Sequence, residues 1–174
     1  MAPESVRADD RPVIGLIENV QLLGLDMVFV AKIDTGAKTS AINAFDVNTF
    51  KRGGKSWVRF KIQSKVGETA ELELPVVRFV KIFRAGAEDD VRPVVKLPIC
   101  IGTLAQEAQF TLKYRKGMGY CMLIGRRVLD NNFLVDSSAE FIAAPNCSPS
   151  NIGDKIMPLS RIKGDPECFG TGRQ

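Results

Sequence analysis

Apolar and polar positions alternate with a period of two along most of this chain, and glycine, proline and acidic residues break the alternation every eight to twelve positions or so. The clearest case is Trp57-Val58-Arg59-Phe60-Lys61-Ile62, the pattern of a half-buried strand. Val13 to Leu16 and Gln21 to Leu25 flank Glu18-Asn19 and predict a first β-hairpin with its turn at those polar residues. Met27 to Ile33 is an apolar strand that stops at Asp34. Lys38 to Ile42 resumes extended structure, Asp46 to Arg52 predicts a loop, and Gly53-Gly54 predicts a tight hairpin turn. Glu71 to Phe83 is a further extended run broken at Pro75. Arg84 to Asp90 is turn-rich, and Arg92 to Ile101 and Ala108 to Tyr114 return to the strand pattern. The only helical spacing lies near Arg126 to Asn131. The chain therefore reads as all-β, with many short strands forming a closed or partly open β-barrel and one short helix.

Composition adds boundaries. Residues 1–11 are polar and charged, without the apolar core of a signal peptide, and predict a disordered N-terminus. From about Ser148 the chain turns to Pro, Gly, Ser and Lys, which predicts a mobile tail over 146–174 and a single domain over 12–145. A hydrophobic content of 45% in 174 residues supports one core. No apolar run approaches the roughly 18 residues of a membrane span, and a net charge of +4 is too mild to argue for nucleic acid. The expectation is a soluble, cytoplasmic protein with neither a membrane nor a nucleic-acid partner.

Chemistry is first narrowed by what is missing. The histidine count is 0, which removes Ser-His-Asp triads, Cys-His dyads and His-Glu-x-x-His zinc sites together. Cys100, Cys121, Cys147 and Cys168 form no close pair, so no metal is expected; Cys100 and Cys121 sit in apolar runs and read as buried thiols. Gly54-Lys55-Ser56 ends like a phosphate-binding loop, but the glycine that such a loop needs at position 49 is Thr49. No cofactor is implied.

One acidic motif is left. Ala31-Lys32-Ile33-Asp34-Thr35-Gly36-Ala37 puts a carboxylate at a strand end, with Gly36 free to turn the backbone away. Far downstream, Met122-Leu123-Ile124-Gly125-Arg126-Arg127-Val128-Leu129 is a short apolar strand, a glycine, and a basic residue opening a helical turn. Together the two stretches resemble the retropepsin-like aspartic peptidases, in which an apolar-Asp-Thr-Gly-Ala loop is followed by apolar-apolar-Gly-Arg and a short helix. The resemblance implies that Asp34 is catalytic, that Thr35 bonds across a dimer axis, and that Gly36 and Ala37 meet substrate. It also implies that Ile124, Gly125 and Arg126 brace the loop from behind. Peptide hydrolysis of this kind uses two carboxylates sharing one proton. A chain with one Asp-Thr-Gly must then act as a homodimer; Asp130 and Asp136 lack the motif and Glu18 is assigned to a turn. The β-hairpin flap of such peptidases falls on Glu71 to Phe83 paired with Val91 to Leu97, with its tip at Arg84 to Asp90 and Gly86 supplying the flexibility.

A closer resemblance covers about residues 13 to 142. Ala-Lys-Ile-Asp-Thr-Gly-Ala-Lys-Thr-Ser, Trp-Val-Arg-Phe, Arg-Pro-Val-Val and Gly-Arg-Arg are shared with a bacterial family labelled as an ATP-dependent zinc protease, some members of which accompany ATP-grasp glutamate ligases. With no phosphate loop and no histidine, neither the ATP nor the zinc of that label fits this chain. Two positions depart from the retroviral pattern. Lys32 replaces an apolar residue, and strand alternation puts it on the face of Asp34. Lys38 replaces the acid that pairs with the downstream arginine, which leaves the partner of Arg126 open. Lys32 and Lys38, with Arg92, suggest a cleft that selects acidic peptides. The expectation is an aspartic endopeptidase acting on peptide or protein substrates; its rivals are a non-catalytic peptide-binding module on the same fold and an unrelated β-barrel binder with Asp34 in a turn. Replacing Lys32 by Leu should shift preference away from Glu-rich peptides in a cleavage panel, and an unchanged preference would refute that role for Lys32.

Overall fold

The computed structural model describes residues 9–114, 119–148 and 158–163. Strand β1 (Val13–Leu22) runs without a turn through Glu18, which is fully buried and pairs with Ala31 of the antiparallel strand β2 (Met27–Ile33). The first hairpin thus turns at Leu23–Asp26, and the turn expected at Glu18-Asn19 does not exist. A buried acid can occupy mid-strand when donors converge on it. Here the Glu18 carboxylate accepts the backbone N–H groups of Gly15 at 2.7 Å, Ile142 at 3.1 Å and Ala143 at 3.1 Å.

Strand β3 (Ser40–Asn43) follows β2 in sequence but does not touch it in the ladder. Strand β10 (Met122–Ile124) lies between them, parallel to β2 and antiparallel to β3. Beyond β3 come β9 (Leu104–Lys113), parallel to it, and β8 (Asp90–Ile101), antiparallel to β9. Strand β8 returns to β1 through Gln21↔Cys100 and Leu22↔Ile99, which closes a six-strand barrel. Strand β7 (Arg78–Ile82) extends the sheet beyond β8, and β11 (Leu134–Glu140) extends it beyond β1 in parallel.

A second sheet comprises β4 (Phe45–Arg52), β5 (Lys55–Gln63), β6 (Glu68–Pro75) and β12 (Ser160–Lys163), in the order β12-β6-β5-β4. Val58, Phe60, Ile62, Ala70 and Leu72 join Phe29, Leu97 and Phe110 in one buried cluster, so this sheet packs on the barrel. The hydrophobic effect across that shared core is the main stabilising term. Gly53 and Gly54 make the β4–β5 turn with φ of +58° and +76°, a region glycine enters without steric cost.

Several expectations change. Asp46–Arg52 is strand rather than loop: as an edge strand with mostly exposed side chains it shows no apolar alternation. Glu71 to Phe83 is not one strand. It splits after Pro75 into β6, paired with β5 in the second sheet, and β7, paired with β8. The stretch expected to be a mobile tail supplies β12, whose Ser160–Lys163 pair with Glu68–Glu71. Cys100 is no free thiol. It forms a disulfide with Cys147, and Cys121 is likewise disulfide-bonded. Such bonds are features of oxidising compartments more than of the cytoplasm. No helix among the described residues is long and apolar enough to cross a membrane.

Glu18→Ala would leave three N–H groups without their acceptor, two of them on the segment that follows β11. The expected loss is about 3 kcal/mol of unfolding free energy, read from urea denaturation midpoints. Ser137→Ala, on exposed β11, should stay within about 0.5 kcal/mol.

Candidate active site

Strand β2 ends in the ladder with Ile33 paired to Ile124, and the Asp34 N–H donates to the Ile124 carbonyl at 2.8 Å. The chain then turns out of the sheet. Asp34 Oδ1 accepts the Gly36 N–H at 3.0 Å, and the Ala37 N–H returns to the Asp34 carbonyl at 3.3 Å. This local turn holds a half-buried carboxylate beside the exposed Thr35 and Gly36. Among the described residues no cation pairs with it.

The downstream motif forms the back of the loop. Gly125 precedes the one-turn helix α1 (Arg126–Leu129). The Arg126 N–H donates to the Ala37 carbonyl at 2.8 Å and the Arg127 N–H to the Lys38 carbonyl at 3.0 Å. Gly125 N–H donates to Ser40 Oγ at 3.0 Å. A Cβ on Gly125 would lie 2.9 Å from the Ala37 oxygen, 2.9 Å from the Thr39 carbonyl carbon and 3.0 Å from its oxygen. All three are backbone atoms, so only glycine allows this approach.

Arg126 has its partner after all. With Lys38 where an acid would pair with it, its Nη1 donates to the carbonyls of Thr35 at 3.0 Å and Gly36 at 2.9 Å. A guanidinium needs oxygen acceptors rather than a carboxylate in particular, and the turn presents two. Sequence reasoning passed over Ser40, a fully buried hydroxyl that ties β3 to Gly125. A lone serine in a strand run carried no signal of that role.

The residues assigned to substrate scatter. Lys32 and Lys38 are exposed and flank the loop. Gly86, with φ of +78°, sits at the tip of the β7–β8 hairpin, against open space. Arg92 does not join them. It is 8% exposed and spends its charge on Asp90, donating to Oδ2 from Nε at 2.8 Å and Nη2 at 2.5 Å. That contact holds the Asp90 carboxyl below its ordinary pKa. Arg92 lines a concavity of about 900 Å³ with Phe45, Lys113 and the hairpin tip, whereas Thr35 and Arg126 line another, of about 520 Å³, with Leu129 and Phe133.

A different arginine takes its place. Arg78, at the start of β7, donates from Nη2 to Thr39 Oγ1 at 3.0 Å and from Nε to Gln109 Oε1 at 2.9 Å. It links the base of the hairpin to the limb of the loop that runs from Gly36 into β3. Arg11, Arg52, Arg59, Arg84, Arg92 and Arg161 each form an ion pair, while Arg78, Arg126 and Arg127 form none among the described residues. All three lie against the Asp34 loop.

A family model described as retropepsin-like aspartic endopeptidase RimB matches residues 13–146. The chain belongs to this RimB-like family. A solved structure of a Legionella pneumophila protein of unknown function superposes with a TM-score of 0.65 at 30% identity, over 76% of this chain and 98% of that one. Relatives from Shewanella pealeana and Parasynechococcus marenigrum, each named a probable alpha-L-glutamate ligase, are 39% identical over 114 residues and 29% identical over 177. These matches take in 64% and 92% of this chain but only 25% and 37% of the relatives. The RimB-like chain thus spans about a quarter to somewhat over a third of their length.

Arg126→Ala should speed amide hydrogen exchange at residues 34–38, read by mass spectrometry, with a stability loss of about 2 kcal/mol from two charge-assisted bonds. Gly125→Ala should cost about 1–3 kcal/mol and disturb the same amides, because backbone must move to admit the methyl.

Proposed function

We propose that this chain is an aspartic endopeptidase that acts as a homodimer. The observation that carries the reading is the Asp34 turn: a carboxylate with no cation partner among the described residues, held by the Gly36 amide and fixed from behind by Gly125 and Arg126. One such carboxylate cannot both activate water and protonate a leaving amine. Two, brought together on a two-fold axis, share a proton because like charges a few ångströms apart do not both ionise. The ionised Asp34 takes a proton from a water held between the pair, and the water oxygen bonds to the scissile carbonyl carbon. The protonated Asp34 of the second copy gives its proton to the carbonyl oxygen. Collapse of the resulting diol breaks the C–N bond, with a proton passing to the departing nitrogen. The exposed Thr35 and Gly36 are the groups that would meet the second copy and the peptide backbone.

The same reading takes acidic peptides as the substrate class. Lys32, Lys38, Arg78, Arg126 and Arg127 surround the loop without a carboxylate partner among the described residues. Relatives named probable alpha-L-glutamate ligase carry a matching segment within a longer chain. The second reading, a peptide-binding module on this fold, keeps the basic rim and dispenses with the dimer.

Sedimentation at micromolar concentration, with and without a Glu-rich peptide, tests the proposal. A dimer, or a monomer driven to dimer by peptide, together with cleavage of that peptide, is the expected result. Asp34→Asn should lower kcat by at least about a thousandfold while peptide binding persists. A monomer under every condition would overturn the peptidase in favour of the binding module.

A further inference from the structure

We propose that Arg78 is the residue that grips a carboxylate of the bound peptide, an inference that rests on the acidic-peptide reading of the Asp34 cleft. The hairpin strand β7 presents alternate residues to opposite sides. Phe79 and Lys81 are exposed on one side, while Arg78 turns the other way, onto β9 and the Asp34 loop. Its two protein partners, Gln109 and Thr39, are neutral. They orient the guanidinium without discharging it. Of its five N–H donors, the two on Nη1 and one on Nη2 have no partner among the described residues and remain for a carboxylate.

The electrostatics agree. Desolvation, and then the charge of Arg127, push the Arg78 pKa below its ordinary value. A cation that is partly stripped of water and faces another cation is destabilised until an anion arrives. Arg92, by contrast, already faces the carboxylate of Asp90. Position also favours Arg78: its Thr39 contact lies on the strand-ward limb of the loop that carries Asp34. Lys38 and Arg127 stand at the exposed rim, where charge steers an acidic chain more than it fixes one.

The carboxylate could belong to a glutamate side chain or to the peptide C-terminus, and one peptide set separates the two. Glu-rich peptides and their Gln counterparts, each with a free or an amidated C-terminus, are offered to the full chain and to its R78Q and R78K variants. R78Q should collapse the Glu-over-Gln preference in kcat/KM by at least about tenfold, chiefly through KM, with R78K restoring part of it. A preference that survives amidation assigns the carboxylate to the side chain. If instead the free-terminus peptide is favoured whatever its side chains, and R78Q removes that advantage, Arg78 reads the C-terminus. An R78Q enzyme that keeps the wild-type preferences overturns the proposal. So does one that loses all four peptides in equal proportion, which is the mark of a latch between hairpin and loop. Anisotropy with the same labelled peptides on D34N and D34N/R78Q keeps this question apart from catalysis. Arg78-dependent binding without any cleavage by the wild type would sink the peptidase and leave the carboxylate grip standing. Binding to D34N that ignores the carboxylates would overturn the grip whether or not the wild type cleaves.

Discussion

The closest approach between backbones at the Asp34 loop is the one the rest depends on. Gly125 lies against the Ala37 and Thr39 carbonyls with no room for a methyl group. That contact lets β10 enter between β2 and β3, and β10 in turn gives the Asp34 amide its acceptor at Ile124. The glycine, the strand and the arginine after it thus act as one part. Remove the close approach and the loop loses its floor, its two backbone clamps and the Arg126 Nη1 contact to the Thr35 and Gly36 carbonyls together.

Charge is distributed unevenly around this part. Away from the loop, acids and bases neutralise each other: Arg52 and Arg59 converge on Glu73, Lys61 meets Asp46, and Arg84 and Arg92 share Asp90. Around the loop the cations are left over. A modest net charge of +4 therefore hides a local excess, and it is the local field, not the total, that an approaching acidic chain would feel. Exposed pairs of this kind contribute little to stability.

How much of this was legible beforehand depended on whether a residue's role was written in its own neighbourhood. Strands with one wet face, such as Trp57 to Ile62, announced themselves, and Gly53-Gly54 gave its turn directly. The Asp-Thr-Gly and Gly-Arg stretches together pointed to a retropepsin-like barrel because each is locally distinctive. What stayed hidden depended on distant partners. Glu18 looked like a turn because its donors come partly from Ile142 and Ala143, more than a hundred positions away. Asp46 to Arg52 looked like a loop because an edge strand exposed on both faces leaves no periodic trace. Arg92 was singled out and Arg78 was not considered, because nothing in the string reveals that Asp90 neutralises the first, or that neutral oxygens hold the second. Cys100 and Cys147 are joined only by the fold.

The order of the strands also sets a schedule. β2, which carries Asp34, is made early, yet the strand that must lie beside it is β10, and the helix that clamps its loop ends at Leu129. Before that segment has been made, β2 and β3 have an empty lane between them and the carboxylate has no fixed position. Contacts of such long sequence separation form late and slowly. A chain under synthesis, or one truncated before Met122, would therefore carry the acidic motif without the means to aim it, and the Asp34 loop would take its final shape only when nearly the whole barrel is ready to contain it.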